Sequence, residues 1–99
     1  MSVVSVLRFR AREGAADELV RRFARLEIFE RARESGGFLG GRLLRSEGGG
    51  SEFTVIADWE THGVYQAWLD NPVRAETGAQ LEPLLADEVT AGELYEVAG

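Results

Sequence analysis

The sequence contains no cysteine, no lysine and only two prolines. Without cysteine, disulfides, thiolate nucleophiles and sulfur-ligated metal sites are excluded. The 11 basic residues are all arginine, and 17 acidic residues outnumber them to give a net charge of −6. A surface of this sign repels a phosphate backbone unless its arginines gather on one face, so we expect no nucleic-acid partner.

Long apolar runs are also absent. The N-terminal segment has no charged start, and its apolar run is too short for a signal peptide. We therefore expect a cytoplasmic protein that does not associate with membranes. The 44% hydrophobic and 28% charged residues are ordinary for a globular chain.

The length of 99 residues predicts a single domain over 1–99 with one hydrophobic core. A core of this size leaves little area for a deep pocket built by one copy alone, so a second copy is an early candidate partner.

Alternation of apolar and polar residues predicts strands over 3–10, 38–46 and 52–59, with a short final strand over 92–97. A glycine-rich turn over 47–51 joins the second strand to the third. Helical spacing of apolar residues predicts one helix over about 16–35, which ends at Gly36-Gly37. On its outer side, Glu18/Arg22 and Glu27/Arg31 are spaced for ion pairs.

Thr61 is spaced to cap a short helix, and Asn71-Pro72 ends that helix and begins the next. The resulting order is strand, helix, strand, strand, helix, strand. It predicts an α+β, ferredoxin-like fold, in which a four-stranded antiparallel βαββαβ sheet carries its helices on one face.

The face of the sheet away from the helices carries the apolar residues Val4, Val6 and Ile56. A second copy is the simplest cover for such a face, so the sequence predicts a homodimer. We expect Arg8 and Arg10 to pair with Asp58 and Glu52, across strands or between subunits.

Three groups of residues resemble one known family. They are Glu13-Gly14 after the first strand, Gly37-Phe38-Leu39-Gly40 leading into Leu43-Leu44-Arg45-Ser46, and Trp59-Glu60-Thr61 followed by Tyr65, Trp68 and Asn71-Pro72. Their order and spacing resemble the antibiotic biosynthesis monooxygenase family, over nearly the whole chain. The resemblance implies a dimeric α+β barrel. Members include cofactor-free oxygenases of polyketide phenols, quinol oxygenases, haem-degrading enzymes and proteins without assigned chemistry.

The functional residues of the family are matched only in part. Haem-degrading members use a strand asparagine, a tryptophan on the second helix and a histidine ten residues beyond it. Trp68 matches the tryptophan, but Leu7 and Gly78 stand at the other two positions, which argues against haem held by an imidazole. Polyketide-phenol oxygenases are matched at Trp59 and Tyr65, whereas Val55 and Gly78 stand where they have asparagine and arginine.

Trp59, Tyr65 and Trp68 are the candidate catalytic residues. Each offers a flat apolar ring with one hydrogen-bond donor, which suits an aromatic substrate that carries oxygens. Ordinary core packing of the same three rings is the alternative.

Five further residues are candidates for substrate binding. His62 is the single imidazole and could act as a base only if it faces the cavity, since a lone histidine at a helix start is commonly a solvated surface residue. Arg74 could bind a phenolate or carboxylate, or pair with Glu76 or Asp70. The others are Asn71 at the helix junction, and Leu7 and Val55 at positions where family members carry polar residues.

These residues favour a cofactor-independent monooxygenase that acts with O2 on a phenolic or hydroquinone-like, polyketide-type substrate. No metal or cofactor is expected, because such a substrate can itself reduce dioxygen once deprotonated. A polyketide cyclase or isomerase that incorporates no oxygen would use the same cavity. A non-catalytic binding or stress-response barrel, with the cavity filled by side chains, is the third hypothesis.

Overall fold

The chain alternates strands and helices in a computed structural model that describes residues 2–89 and 92–99. In order, these are β1 (Val3–Arg10), α1 (Ala16–Arg25), α2 (Ile28–Glu34), β2 (Phe38–Arg45), β3 (Glu52–Trp59), α3 (His62–Leu69), α4 (Pro72–Leu81), a short 3-10 helix (Glu82–Leu84) and β4 (Glu93–Glu96).

The four strands form one antiparallel sheet in the order β2-β3-β1-β4. β1 lies in the centre, with Leu7 opposite Val55 of β3 and Ser5 opposite Leu94 of β4. This arrangement confirms the predicted ferredoxin-like sheet. The final strand is one residue shorter at each end than the predicted 92–97.

The prediction of one continuous helix over 16–35 was wrong. The helix breaks at Leu26 and Glu27, and Glu27 has a left-handed backbone with φ of 51°. The ring of Phe29 then packs on the bare backbone of Gly41 in β2, where a Cβ atom would lie 2.7 Å from that ring. Leu26 and Glu27 are good helix formers, so local propensity gave no sign of the break.

The break also changes the predicted ion pairs. Arg22 lies 3.6 Å from Glu18 within α1, as its spacing predicts. Glu27 stands outside the regular helix, and in the described part of the chain its carboxylate forms no ion pair with Arg31.

The predicted helix ends are confirmed. Gly36 and Gly37 adopt φ of 91° and 77° after α2, a conformation that glycine accepts at low cost. The hydroxyl of Thr61 accepts a 3.1 Å hydrogen bond from the Val64 amide at the start of α3. Pro72 occupies the first turn of α4.

The helices pack on one face of the sheet in two hydrophobic clusters. The larger cluster joins β1, β2 and β3 to α2 and α3, and its buried residues are Val3, Ala32, Phe38, Ala57, Trp59, Tyr65 and Trp68. The smaller cluster, at the other end of the sheet, contains Ala11, Leu19 and Phe53. Between them lies space that the side chains leave open.

The opposite face of the sheet, here called the outer face, is not covered by any helix of the described chain. Arg8 pairs with Glu93 of β4 at 2.9 Å, because the register places Thr54 and not Asp58 opposite Arg8. Arg10 pairs at 2.9 Å with Asp87. The Ala86 amide donates to the Arg10 carbonyl and so brings Asp87 to this edge. The predicted pairing of these arginines with Asp58 and Glu52 within the sheet was therefore wrong.

Candidate functional site

A cavity of about 400 Å³ lies between the sheet and the helices. β1 and β3 form its floor with Ser5, Leu7, Phe9, Val55, Ala57 and Trp59. The helices and the segment after them close it from above with Phe23, Ile28, Phe29, Ala32, Tyr65, Trp68, Arg74, Ala75, Thr77, Gly78, Ala79, Leu81, Glu82, Leu85, Asp87, Glu88 and Val89. Phe38 of β2 completes one side.

Aromatic rings form a continuous wall at the end of the cavity near α2 and α3. The centroids of Phe29 and Phe38 lie 5.8 Å apart, and those of Phe38 and Trp59 lie 5.1 Å apart. Trp59 then meets Tyr65 edge-on at 5.5 Å and Trp68 at 6.4 Å. Such contacts fix the ring orientations and give the wall a flat apolar surface suited to an aromatic ligand.

Trp59 is held from the opposite strand. Its indole N–H donates a 3.0 Å hydrogen bond to the Ser5 hydroxyl, and both side chains are buried. The donor of Trp59 is therefore already used within the protein. Trp59 can offer a ligand its ring face but not its N–H.

Tyr65 and Trp68 lie one turn apart on α3, so both face the sheet. Each is 6% exposed. Within the described residues, the Tyr65 hydroxyl and the Trp68 indole N–H have no hydrogen-bond partner, and no unpartnered polar side-chain atom there is sealed from solvent. Two donors on residues that line the cavity thus have no partner in the described part of the chain.

Charged side chains line the cavity toward α4 and the segment that follows it. Arg74 stands in the first turn of α4, and Glu82, Asp87 and Glu88 lie beyond the other end of that helix. The Thr77 hydroxyl between them donates to the Val73 and Arg74 carbonyls, so the helix itself satisfies it.

Six of the eight candidate residues line this cavity: Trp59, Tyr65, Trp68, Arg74, Leu7 and Val55. His62 does not, because it begins α3 on the exposed side. Asn71 does not either, since its side-chain oxygen accepts a 2.9 Å hydrogen bond from the Val73 amide and caps α4.

The sequence reasoning missed Ser5 and the phenylalanines Phe23, Phe29 and Phe38 as part of the site. Alternation along β1 places Ser5 on the same face as Leu7, and a serine on an apolar face is a usable signal for a buried polar partner. The predicted helix over 16–35 contains both Phe23 and Phe29, but they lie on α1 and α2 on either side of the break at Glu27, and their rings meet edge-on at 5.3 Å.

A second depression, of about 560 Å³, lies between the end of β1 and the start of α1. It is shallow, and its arginines already have protein partners. Arg45 donates to the Asp17 carboxylate at 2.8 Å, and Arg12 donates to the Leu85 carbonyl at 3.0 Å. We therefore assign the candidate site to the aromatic cavity.

The described part of the chain holds neither a metal-ligand cluster nor a membrane-spanning helix. Residues 2–89 and 92–99 contain no group of three or more histidine, cysteine, aspartate or glutamate side chains placed to hold a metal ion. Among the helices described, none has the length and apolar character needed to cross a membrane.

The fold and the site define a class: a small ferredoxin-like α+β protein with an aromatic-lined cavity under its helices. The model of the family described as "Antibiotic biosynthesis monooxygenase" matches residues 2–80. The chain belongs to this family.

Two groups of relatives are informative. The "Heme oxygenase (mycobilin-producing)" of Mycobacterium tuberculosis is 36% identical over 86 residues, which cover 85% of this chain and 79% of that protein. SnoaB from Streptomyces nogalater, described as a cofactor-independent oxygenase, matches with a TM-score of 0.80 and 26% identity over 99% of this chain and 94% of its own. Rv0793 of M. tuberculosis has a TM-score of 0.80 at 20% identity over 100% and 97% of the two chains, and shows the shared fold. Together, the family and these relatives support a monooxygenase-like role.

The relationship to a haem oxygenase raises the question of whether haem fits the cavity. The described lining contains no histidine, and His62 lies outside it on the exposed start of α3. The lining also contains more carboxylates than cations, with Glu82, Asp87 and Glu88 against Arg74, which does not favour a group that carries two anionic propionates. The residues present do not fit a haem held by an imidazole ligand.

Proposed function

We propose that this protein is a cofactor-independent monooxygenase that oxidises a phenolic or hydroquinone-like, polyketide-type aromatic substrate with O2. The observation that carries the proposal is the cavity of about 400 Å³, whose lining combines an aromatic wall with the donors of Tyr65 and Trp68, which have no partner among the described residues. The description of SnoaB as a cofactor-independent oxygenase supports it.

The reaction follows from the acidity of such a substrate. Loss of a proton gives a phenolate or enolate, which passes one electron to dioxygen and leaves a substrate radical beside superoxide. These two combine to a peroxide, and loss of water leaves a carbonyl. For an anthrone, one oxygen atom enters the ring and the other leaves in water, so substrate and O2 balance quinone and water.

In this scheme the protein positions the substrate and stabilises its anion. The Trp59 ring, oriented by Ser5, provides a flat surface, and the apolar wall excludes water. The Tyr65 hydroxyl and Trp68 indole N–H donate to the oxygen on which negative charge develops. Arg74 adds a cation on the same side of the cavity.

Oxygen uptake with a panel of anthrones and hydroquinones tests the proposal. We expect uptake by the wild type, a large loss in Tyr65→Phe because the donor is removed, and a loss in Trp59→Phe because the ring surface shrinks. His62→Ala, which changes an exposed residue outside the cavity, is the matched control and should retain activity. Equal rates in wild type, Tyr65→Phe and Trp59→Phe would remove these residues from the mechanism.

Product mass distinguishes oxygenation from cyclisation or isomerisation. An oxygenase that uses ¹⁸O2 yields a product with one heavy oxygen atom, whereas a cyclase yields none. If no substrate in the panel is turned over and none binds, a non-catalytic barrel becomes the better description.

We further propose that a second copy covers the outer face of the sheet and forms a dimeric α+β barrel. The outer-face side chains Val4, Val6 and Ile56 are half-buried in the isolated chain, and Leu44 and Tyr95 are 37% and 50% exposed. Burial of this apolar area is favourable. Light scattering should report a particle of twice the 10.9 kDa chain mass. Val6→Glu places a charge on the outer face, so the mass should fall to that of a single chain. A 10.9 kDa particle in the wild type would contradict the dimer.

The cytoplasmic location stays a prediction, to be checked by cell fractionation.

A further inference from the structure

The two ends of the cavity carry charges of opposite sign. Arg74 lies in the first turn of α4, and Glu82 follows eight residues later, beyond the last turn. At 1.5 Å per residue these positions are about 12 Å apart along the helix axis. That separation is comparable to the length of a fused tricyclic aromatic molecule.

Three of the four charged side chains in the cavity lining form no ion pair within the described part of the chain. Asp87 is neutralised by Arg10 at 2.9 Å, as described above. In residues 2–89 and 92–99, Arg74, Glu82 and Glu88 form no ion pair. The cavity therefore has one cationic end, at Arg74. Its other end, here called the acidic end, carries the exposed Glu82 and Glu88, whose carboxylates form no ion pair with any described residue.

The free donors belong to the cationic end. The Asn71 amide donates to the Trp68 carbonyl, and the Arg74 amide donates to the Asn71 carbonyl, which joins α3 directly to the first turn of α4. Tyr65 and Trp68 are each 6% exposed, and their polar atoms have no intramolecular partner among the described residues. They line the cavity from the helix that leads directly into the turn of Arg74. A cation and hydrogen-bond donors are the groups that stabilise an oxygen with negative charge.

We propose that the cavity selects aromatic substrates by the group opposite their acidic oxygen: it favours a protonated amine or a neutral donor facing Glu82 and Glu88, and it rejects a carboxylate there. The inference rests on the proposed function, because it specifies the substrate class of the same cavity. An amine gains two carboxylate acceptors, whereas a carboxylate meets two like charges. Glu82 and Glu88 are exposed, so water and salt moderate both effects.

Three naphthols that differ only at the far ring test the selection. They carry aminomethyl, hydroxymethyl or carboxylate at position 6 of 2-naphthol, and isothermal titration calorimetry at low salt gives each Kd. We expect the amine to bind roughly tenfold more tightly than the carboxylate, with the alcohol between them. Molar salt should shrink this ratio, since it screens charges at the open end of the cavity.

Variants that remove charges show which residues cause the difference in Kd between the amine and carboxylate probes. In the double variant Glu82→Gln/Glu88→Gln we expect the amine and carboxylate probes to bind with nearly equal Kd. The matched control is Glu34→Gln/Glu60→Gln, which makes the same change of net charge at exposed positions outside the lining and should keep the wild-type ratio. Arg74→Gln should weaken all three probes by a similar factor, because it acts at the shared naphthol oxygen.

The binding measurements test the charge selection independently of the oxygenation reaction. Equal binding of the three probes to the wild type, a ratio that survives loss of both Glu82 and Glu88, or no binding of any probe at millimolar concentration overturns it. The expected ratio without oxygen uptake on any substrate would overturn the oxygenase and leave the charge selection standing. Near-UV circular dichroism of each variant confirms that the aromatic wall is retained.

Discussion

Trp59 and Ser5 are joined by a buried hydrogen bond of 3.0 Å that crosses from β3 to β1 beneath the cavity. It fixes the ring of Trp59, which contacts Phe38, Tyr65 and Trp68 in the aromatic wall. Ser5, a residue of β1 that was not among the predicted site residues, thus orients Trp59 in the site.

Ser5→Ala should destabilise the fold and loosen the wall. It leaves the Trp59 N–H buried without an acceptor, at a cost of about 1–3 kcal/mol in the free energy of unfolding. Urea titration measures the loss, and a changed near-UV dichroism reports the looser ring. Ser51→Ala, in the hairpin turn, should stay near wild type. Identical unfolding midpoints for wild type and Ser5→Ala would show that the bond contributes nothing.

Two glycine-to-alanine changes should act in opposite directions. In Gly41→Ala the new Cβ lies 2.7 Å from the Phe29 ring, so the ring must move, at a cost of about 1–3 kcal/mol. Gly78→Ala, within α4, meets no atom within 4 Å and should stabilise by about 0.5–1 kcal/mol through helix propensity. Thermal unfolding of both proteins gives the signs, and equal shifts would contradict the packing at Gly41.

Glu27→Gly should raise stability although it removes a side chain. The left-handed backbone at φ of 51° costs a residue with a Cβ about 1 kcal/mol, and glycine adopts it with little strain. The control Glu30→Gly lies in the regular part of α2 and should lower stability by a similar amount. A drop in melting temperature for both variants would argue that Glu27 is not strained.

Acid should weaken the contact between β2 and α1. A hydrogen bond from Arg45 lowers the pKa of Asp17 below its ordinary value of 3.8. A lowered pKa means that the stabilising contribution is present above pH 3.8 and is lost as the pH falls through the folded-state pKa. Asp17→Asn should therefore be less stable than wild type at pH 7 and approach it at low pH. Urea midpoints across this range, with Glu34→Gln as control, test the trend; a constant difference would contradict it.

Most of the fold could be predicted from the sequence, because strand alternation and helix capping depend on residues close together in the chain. Strand alternation placed Val55 and Trp59 on the inner face, and capping residues such as Thr61 and Asn71 marked helix starts correctly. The break at Glu27 was not predicted, because the helical periodicity continues through that position. In the structure the break is accompanied by the packing of Phe29 on Gly41.

The site was predicted in part for the same reason. Residues on inward faces, such as Tyr65 and Trp68, follow from period and position. The acidic end of the cavity did not, since Glu82 and Glu88 lie beyond the regular helix, in a 3-10 turn and the segment after it, where no repeat indicates direction.

The sequence alone determines the order of strands and helices and which residues of each element face the core. The reason is that side chains repeat every two residues along a strand and about every 3.6 along a helix. Tertiary structure decided which donors remain free, which carboxylates face the cavity and where α1 ends. Those outcomes depend on contacts between residues far apart in the chain, as between Ser5 and Trp59, which no local pattern encodes.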